Sequence, residues 1–316
     1  MTSLKLRIIK NLFFVAYVAK SRLLSLAPAL WRNSFLAGKE AESPLYCYSV
    51  WMRHAIKIYE QTGKTKFPRV AEIGPGYSLG VGLMALITGA SEYVAIDKVK
   101  FVDRSKVLEL FDDLLRLFSD ETAVPGHELY PSIKPTLKDT KFPSEIYSKE
   151  TISDLTNSQR ITAIRMQLEY FISKGSCEIL SYKGSLSEGI KESGKFDLIL
   201  SQAVLEHVDQ IEELYADMAA GLTENGIQSH QIDLKHHKTS FIWNGHWLYT
   251  DRQFEIMRGK EPFLINRMPV SSHQRLVASS GCYIKYVEKV KLPSNISLSD
   301  CKITSVNLEP DDLICS

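Results

Sequence analysis

The stretch 69–97, RVAEIGPGYSLGVGLMALITGASEYVAID, constrains the fold of this chain more than any other. Its opening, Val70-Ala71-Glu72-Ile73, reads as a buried strand, and Gly74-Pro75-Gly76 as the turn after it. The apolar run 79–87 is long enough for about two helical turns. Gly89 ends it, and a second strand, 93–96, stops at Asp97. A strand, a glycine loop, a helix, a strand and an acid form a unit suited to holding a nucleoside. Glycines let the backbone approach a ligand closely, and the helix behind the loop presents unpaired N–H groups. An acid at the tip of the second strand can accept both ribose hydroxyls. The dinucleotide fingerprint G-x-G-x-x-G is absent, because Leu79 stands where its third glycine would fall. Glu72 at the strand end also disfavours a pyrophosphate and suits a ligand with a cationic end.

Glu72-Ile73-Gly74-Pro75-Gly76 resembles the first motif of class I S-adenosylmethionine (SAM)-dependent methyltransferases, and Asp97 resembles their ribose-binding acid. A third block agrees. Phe196-Asp197-Leu198-Ile199-Leu200-Ser201, then Leu205-Glu206-His207-Val208, is similar to the fourth strand and following helix of the small-molecule (type 11-like) members. The resemblance covers 69–235 with the family's order and spacing. Ser78 departs from it, standing where many members carry a third glycine, although serine still allows a tight turn. Taken singly the parts are ordinary: a glycine turn is usually only a turn, and an aspartate after a strand can cap a helix. The resemblance implies that Glu72, Gly74, Pro75, Gly76, Asp97, Gly184, Ser185, Ser201 and Gln202 hold SAM.

The chain has 316 residues, enough for one large domain or a domain with appendages. A net charge of +1 lacks the basic excess of a nucleic-acid surface, so no nucleic-acid partner is expected. Five cysteines, odd in number and without C-x-x-C spacing, read as reduced residues of a cytoplasmic protein.

The segment 1–62 reads as an N-terminal helical region and 63–316 as the methyltransferase domain, with insertions at 103–173 and 235–270. The apolar run 12–19 is flanked by Lys5, Arg7, Lys10, Lys20 and Arg22. It is too short to span a bilayer. Two readings stand for 1–36: a helix packed on the domain, covering the sheet or lining the cofactor site, or a basic amphipathic segment on the inner membrane face. In 44–61, Tyr48, Trp51, Ala55, Ile58 and Tyr59 recur at helical spacing, a core stripe whose Tyr48, Trp51 and His54 could edge the pocket. Residues 103–118 and 152–173 are amphipathic helices, and the proline-rich 119–150 between them is a loop and partial lid. Strands are expected at 177–182, 196–201 and 227–234, with Asn225-Gly226 turning into the last. A helix at 271–279 and an antiparallel pair, 283–290 with 303–308, complete the chain.

The second focus is 230–249, HQIDLKHHKTSFIWNGHWLY. His230, Asp233, His236, His237 and His246 stand among Trp243, Trp247 and Tyr249. The spacings match no common zinc pattern, so no metal is expected. The segment reads as an acceptor pocket with aromatic walls, against the alternative of a solvated histidine-rich turn. The expected fold is a Rossmann-like, seven-stranded, mostly parallel α/β sheet with helices on both faces and a C-terminal antiparallel hairpin. The expected chemistry is methyl transfer from SAM to oxygen or nitrogen of a small-molecule or saccharide acceptor. His207, His230, Asp233 and His246 are the candidate bases. A similarity to uncharacterised bacterial members found near surface-polysaccharide genes implies the sugar. The alternatives are a non-catalytic SAM-fold scaffold and a nicotinamide-dependent oxidoreductase, which Glu72 and the missing third glycine disfavour.

Overall fold

The computed structural model describes residues 3–25, 42–261 and 263–316. Five short strands, β1 (Arg69–Ile73), β2 (Glu92–Ile96), β3 (Leu180–Lys183), β4 (Phe196–Gln202) and β5 (Leu222–Gln231), pair in the order β3-β2-β1-β4-β5, all parallel. The order reverses between β1 and β4, and open α/β sheets bind ligands at the carboxyl ends of strands at such a point. Ile73 pairs with Ser201 there.

Strand register assigns the faces. Glu72 pairs with Ala95 and Leu200, and Leu200 with Ser229, so Glu72, Tyr93, Leu200 and Ser229 share one face. Ile73, Ile96, Ser201 and His230 share the other. Helices Pro44–Thr62 and Gly80–Ile87 cover the first face, because two glycines let them approach. A Cβ on Gly80 would lie 2.3 Å from Cys47 Sγ, and one on Gly82 would lie 2.0 Å from the Tyr93 ring. Pro44 starts the first helix and Gly63, at φ 72°, ends it. Its buried residues include Tyr48, Trp51, Ala55 and Ile58, the stripe expected from the sequence. Helix Leu186–Glu192 covers the second face, where a Cβ on Gly189 would meet Ile96 Cγ2 at 2.8 Å.

Between β2 and β3 the chain forms helices Val107–Ser119, Lys149–Leu155 and Ser158–Lys174. The helix expected over 152–173 is broken at Asn157, whose side chain accepts from Arg160 N at 2.9 Å and caps a new start. The irregular stretch before it is tied down by buried Arg53, which donates to the carbonyls of Pro125 (2.6 Å) and Pro135 (2.7 Å).

The chain forms two compact units. The sheet unit takes Ala37–Gln202 and Ala216–Gln231; the second takes Met1–Leu36, Ala203–Tyr215 and Ile232–Ser316. Helix Ser3–Ser25 belongs to the second unit. Phe13 packs on Phe241, Phe14 on Tyr249, and Tyr17 donates to Glu261 at 2.8 Å. Residues 26–36 lie outside the described residues. Among those described, no helix is long and apolar enough to cross a membrane.

Three strand expectations change. Among the described residues the sheet has five strands, not seven. The stretches 283–290 and 303–308 form no hairpin; only an isolated antiparallel bridge joins Lys291 to Cys315. Tyr283 is 82% exposed and Ile284, Tyr286 and Val287 are about half as open, so the alternation there finds no face to bury. Asn225-Gly226 is not a turn before β5 but lies within it: Phe196 pairs with Leu222 and Leu198 with Ile227, a bulge on an edge strand. β5 then stops at Gln231 rather than 234, and Asp233 Oδ1 accepts from Lys235 N (3.0 Å) in an Asx-type turn.

Candidate functional site

The glycine loop needs its glycines. Gly74 and Gly76 have φ of 70° and 67°, left-handed conformations that cost other residues free energy. Gly74 N donates to Ile96 O (2.8 Å), tying the loop to the end of β2. A Cβ on Gly76 would meet nothing within 4 Å, so the loop backbone borders open space. Beneath it Glu72 is buried and accepts from the Tyr93 hydroxyl at 2.6 Å. Burial pushes its pKa up to about 7; the Tyr93 bond opposes this and the Asp97 charge adds to it. Asp97 accepts from the N–H groups of Val99, Gly76 and Lys98, while burial raises its pKa above the usual aspartate range. Two acids and an open glycine backbone thus converge at the carboxyl ends of β1 and β2. Gly184 and Ser185 follow β3, and Ser185 does not cap the next helix with its side chain.

At the ends of β4 and β5 two polar sets occupy opposite faces. Ser201 Oγ lies 2.8 Å from His230 Nδ1 on one. On the other, buried His54 meets Ser229 Oγ at 2.7 Å through Nδ1 and Gln202 Oε1 at 3.2 Å through Nε2, and Gln202 donates to Gln231. The Gln202 carbonyl can only accept, so Nε2 carries the proton and Nδ1 accepts from Ser229. Burial pushes the His54 pKa down to about 4, and the Gln202 bond opposes the shift. The sequence suggested His54 as a pocket edge; its partners, Gln202 and Ser229, come from distant elements that the sequence could not supply. A separate cleft of about 210 Å³ in this unit, between Arg53 and the segment 126–140, contains none of the predicted cofactor residues.

Of the four candidate bases, only His230 belongs to the sheet unit. His207, Asp233 and His246 belong to the second unit. There the backbone of Asp233 donates to Glu206 Oε1 at 3.3 Å, and the rings of His207 and His237 meet edge-on with centroids 4.8 Å apart. His246 is fully buried against Trp247, and burial, then Arg267, hold its pKa well below normal. Two of the three aromatic residues expected to wall an acceptor pocket are interior: Trp247 and Tyr249 are wholly buried, and Trp247 Nε1 donates to Arg267 O at 2.9 Å, whereas Trp243 is half-buried and donates to Pro293 O at 3.0 Å. Arg267, which the sequence did not single out, is buried in an ion pair with Asp251 (2.5 Å). No local pattern marks it.

The architecture is a doubly wound parallel α/β sheet with a glycine loop and two acids at its carboxyl edge. No protein-family model matches the chain, and no curated protein matches it. Solved structures similar to it include a candidate S-adenosylmethionine-dependent methyltransferase from Listeria monocytogenes, at 10% identity and a TM-score of 0.28, over 57% of this chain and 54% of that one. Another is the CurJ carbon methyltransferase, at 13% identity and a TM-score of 0.36, over 85% and 56%. The chain spans about half the length of each. At such scores the likeness carries no argument about this chain's activity.

Proposed function

We propose that the sheet unit binds SAM and that the protein transfers its methyl group to oxygen or nitrogen of a small-molecule or saccharide acceptor. The observation that carries this is the convergence of Glu72, the left-handed Gly74 and Gly76, and Asp97. Asp97 would accept the ribose hydroxyls. Glu72, poised near neutrality, would gain full charge opposite a cationic ligand. SAM supplies an already activated methyl, so the protein's part is to place the acceptor and exclude water. His230, in register with Ser201, is the proposed base.

Calorimetry with S-adenosylhomocysteine tests the reading. Asp97→Ala should weaken binding by about 1–3 kcal/mol, roughly five- to 150-fold in Kd. Unchanged affinity in that variant, or tighter binding of NADH by the wild type, would refute the assignment.

We also propose that helix Ser3–Ser25 touches an anionic membrane surface. Its face away from Phe13, Phe14 and Tyr17 exposes Leu4, Ile8, Leu12, Val15 and Leu23, flanked by exposed Lys5 and Lys20. Apolar and basic side chains on one helix face favour the interface of anionic lipid. The protein should co-sediment with phosphatidylglycerol vesicles, and the pair Ile8→Asp and Leu12→Asp, both at exposed positions, should abolish this. Equal sedimentation of the two forms would rule the contact out.

A further inference from the structure

We propose that Glu206, His207 and His237 hold a divalent transition-metal ion, with zinc the best fit. One ligand atom from each of these side chains lies within 4.8 Å of the other two. Two of the three donors are already stranded. Glu206 is 2% exposed, and while its Oε1 accepts from Asp233 N, its buried Oε2 has no hydrogen-bond partner. Nδ1 of His207 is likewise buried without a partner. The His207 ring bonds to the backbone of Phe263, so its proton sits on the other nitrogen and Nδ1 keeps its lone pair. Nε2 of His237 faces the carbonyl of Asp233 at 3.2 Å, and a proton held there leaves the lone pair on Nδ1. Imidazole ligands are commonly oriented in this way, by a carbonyl or carboxylate on the second nitrogen.

A buried carboxylate oxygen and a buried imidazole nitrogen without partners are costly to leave in place. A proton satisfies one of them; a dication satisfies both. Two imidazoles and a carboxylate are a donor set used by zinc and by iron(II). Around a tetrahedral zinc the donors stand about 3.4 Å apart, so the cluster closes by about an ångström on binding. The half-buried His237, on a loop, is the side chain placed to make that movement. Asp233, whose carboxylate lies 3.6 Å from Lys235 Nζ, orients His237 rather than binding the ion. The spacings in 230–249 hide this site because two of its donors come from the turn Leu205–His207, far upstream.

The test uses the full chain, stripped with a chelator, loaded with zinc and passed through gel filtration. One zinc per chain should remain by mass spectrometry, and cobalt(II) in its place should show the strong visible bands of a four-coordinate site. His207→Gln and His237→Gln should each lower zinc affinity at least about tenfold. Glu206→Gln should do the same if it folds, as judged by circular dichroism. His236→Gln, one residue outside the cluster, should bind as the wild type does. Zinc-free wild-type protein after filtration would overturn the proposal. So would equal losses from His236→Gln and His237→Gln, which would mark loose binding by a histidine-rich loop. Either failure leaves the reading of the sheet unit untouched.

Discussion

Alanine at position 82 is expected to cost about 3 kcal/mol of stability, at the upper end for overpacking one methyl group. Its Cβ would sit 2.0 Å from two atoms of the Tyr93 ring. That ring is fully buried, and its hydroxyl is fastened to Glu72 at 2.6 Å, so it cannot swing away. The strain should therefore fall on helix Gly80–Ile87 and loosen the glycine loop before it. Gly63→Ala supplies the contrast: φ is 72° but nothing lies within 4 Å, so only the left-handed backbone matters, about 1 kcal/mol. Urea midpoints at unchanged m-value measure both. A Gly82→Ala protein within 0.5 kcal/mol of wild type (a threshold of about the scale of surface substitutions) would disprove the close packing of helix on β2.

Two buried groups should pull the acid limb of stability in opposite directions. His54 has a folded pKa of about 4 against 6.5 unfolded, so between those values only the unfolded chain binds the proton. Its contribution is complete above pH 6.5 and is lost as pH falls to 4, about 3 kcal/mol in all. Glu72 runs the other way. Its folded pKa of about 7 exceeds the unfolded 4.5, so the native state holds the extra proton. That stabilisation is complete below pH 4.5 and is lost as pH rises through 7, again about 3 kcal/mol. In the shared window, 4.5 to 6.5, the two nearly cancel. Denaturation across pH 4–8 should show His54→Asn losing less than wild type on acidification, and Glu72→Gln losing more. Parallel pH curves for wild type and both variants would mean that neither group is buried as described.

The parallel α/β sheet and the strand–glycine loop–helix–strand unit of 69–97 were legible because each rests on local chemistry. Gly74 and Gly76 had to be glycine for their φ, and Asp97 had to follow β2 for its place at the edge. Gly80 and Gly82 lie in the same stretch, but what they make room for, Cys47 and Tyr93, comes from other elements and leaves no trace in spacing. His54 was read as a pocket edge, but its partners, 148 and 175 positions away, left no trace in spacing. The hairpin expected at 283–290 failed for the opposite reason. Alternation was present, but Tyr283 and its neighbours are exposed. The aromatic wall expected at 230–249 turned inward, because Trp247 and Tyr249 help form apolar clusters of the second unit.

The second unit is assembled from three separated lengths of chain, and this has a consequence for synthesis. Tyr17 and Glu261, which it joins, are 244 positions apart. At roughly 5–20 residues per second a ribosome needs about ten to fifty seconds to deliver the partner of the first helix. All five strands emerge before the stretch 241–261 that the helix packs on. All the strands are therefore made while Phe13, Phe14 and Tyr17 still wait uncovered, so a helix made early is among the last elements to find its place.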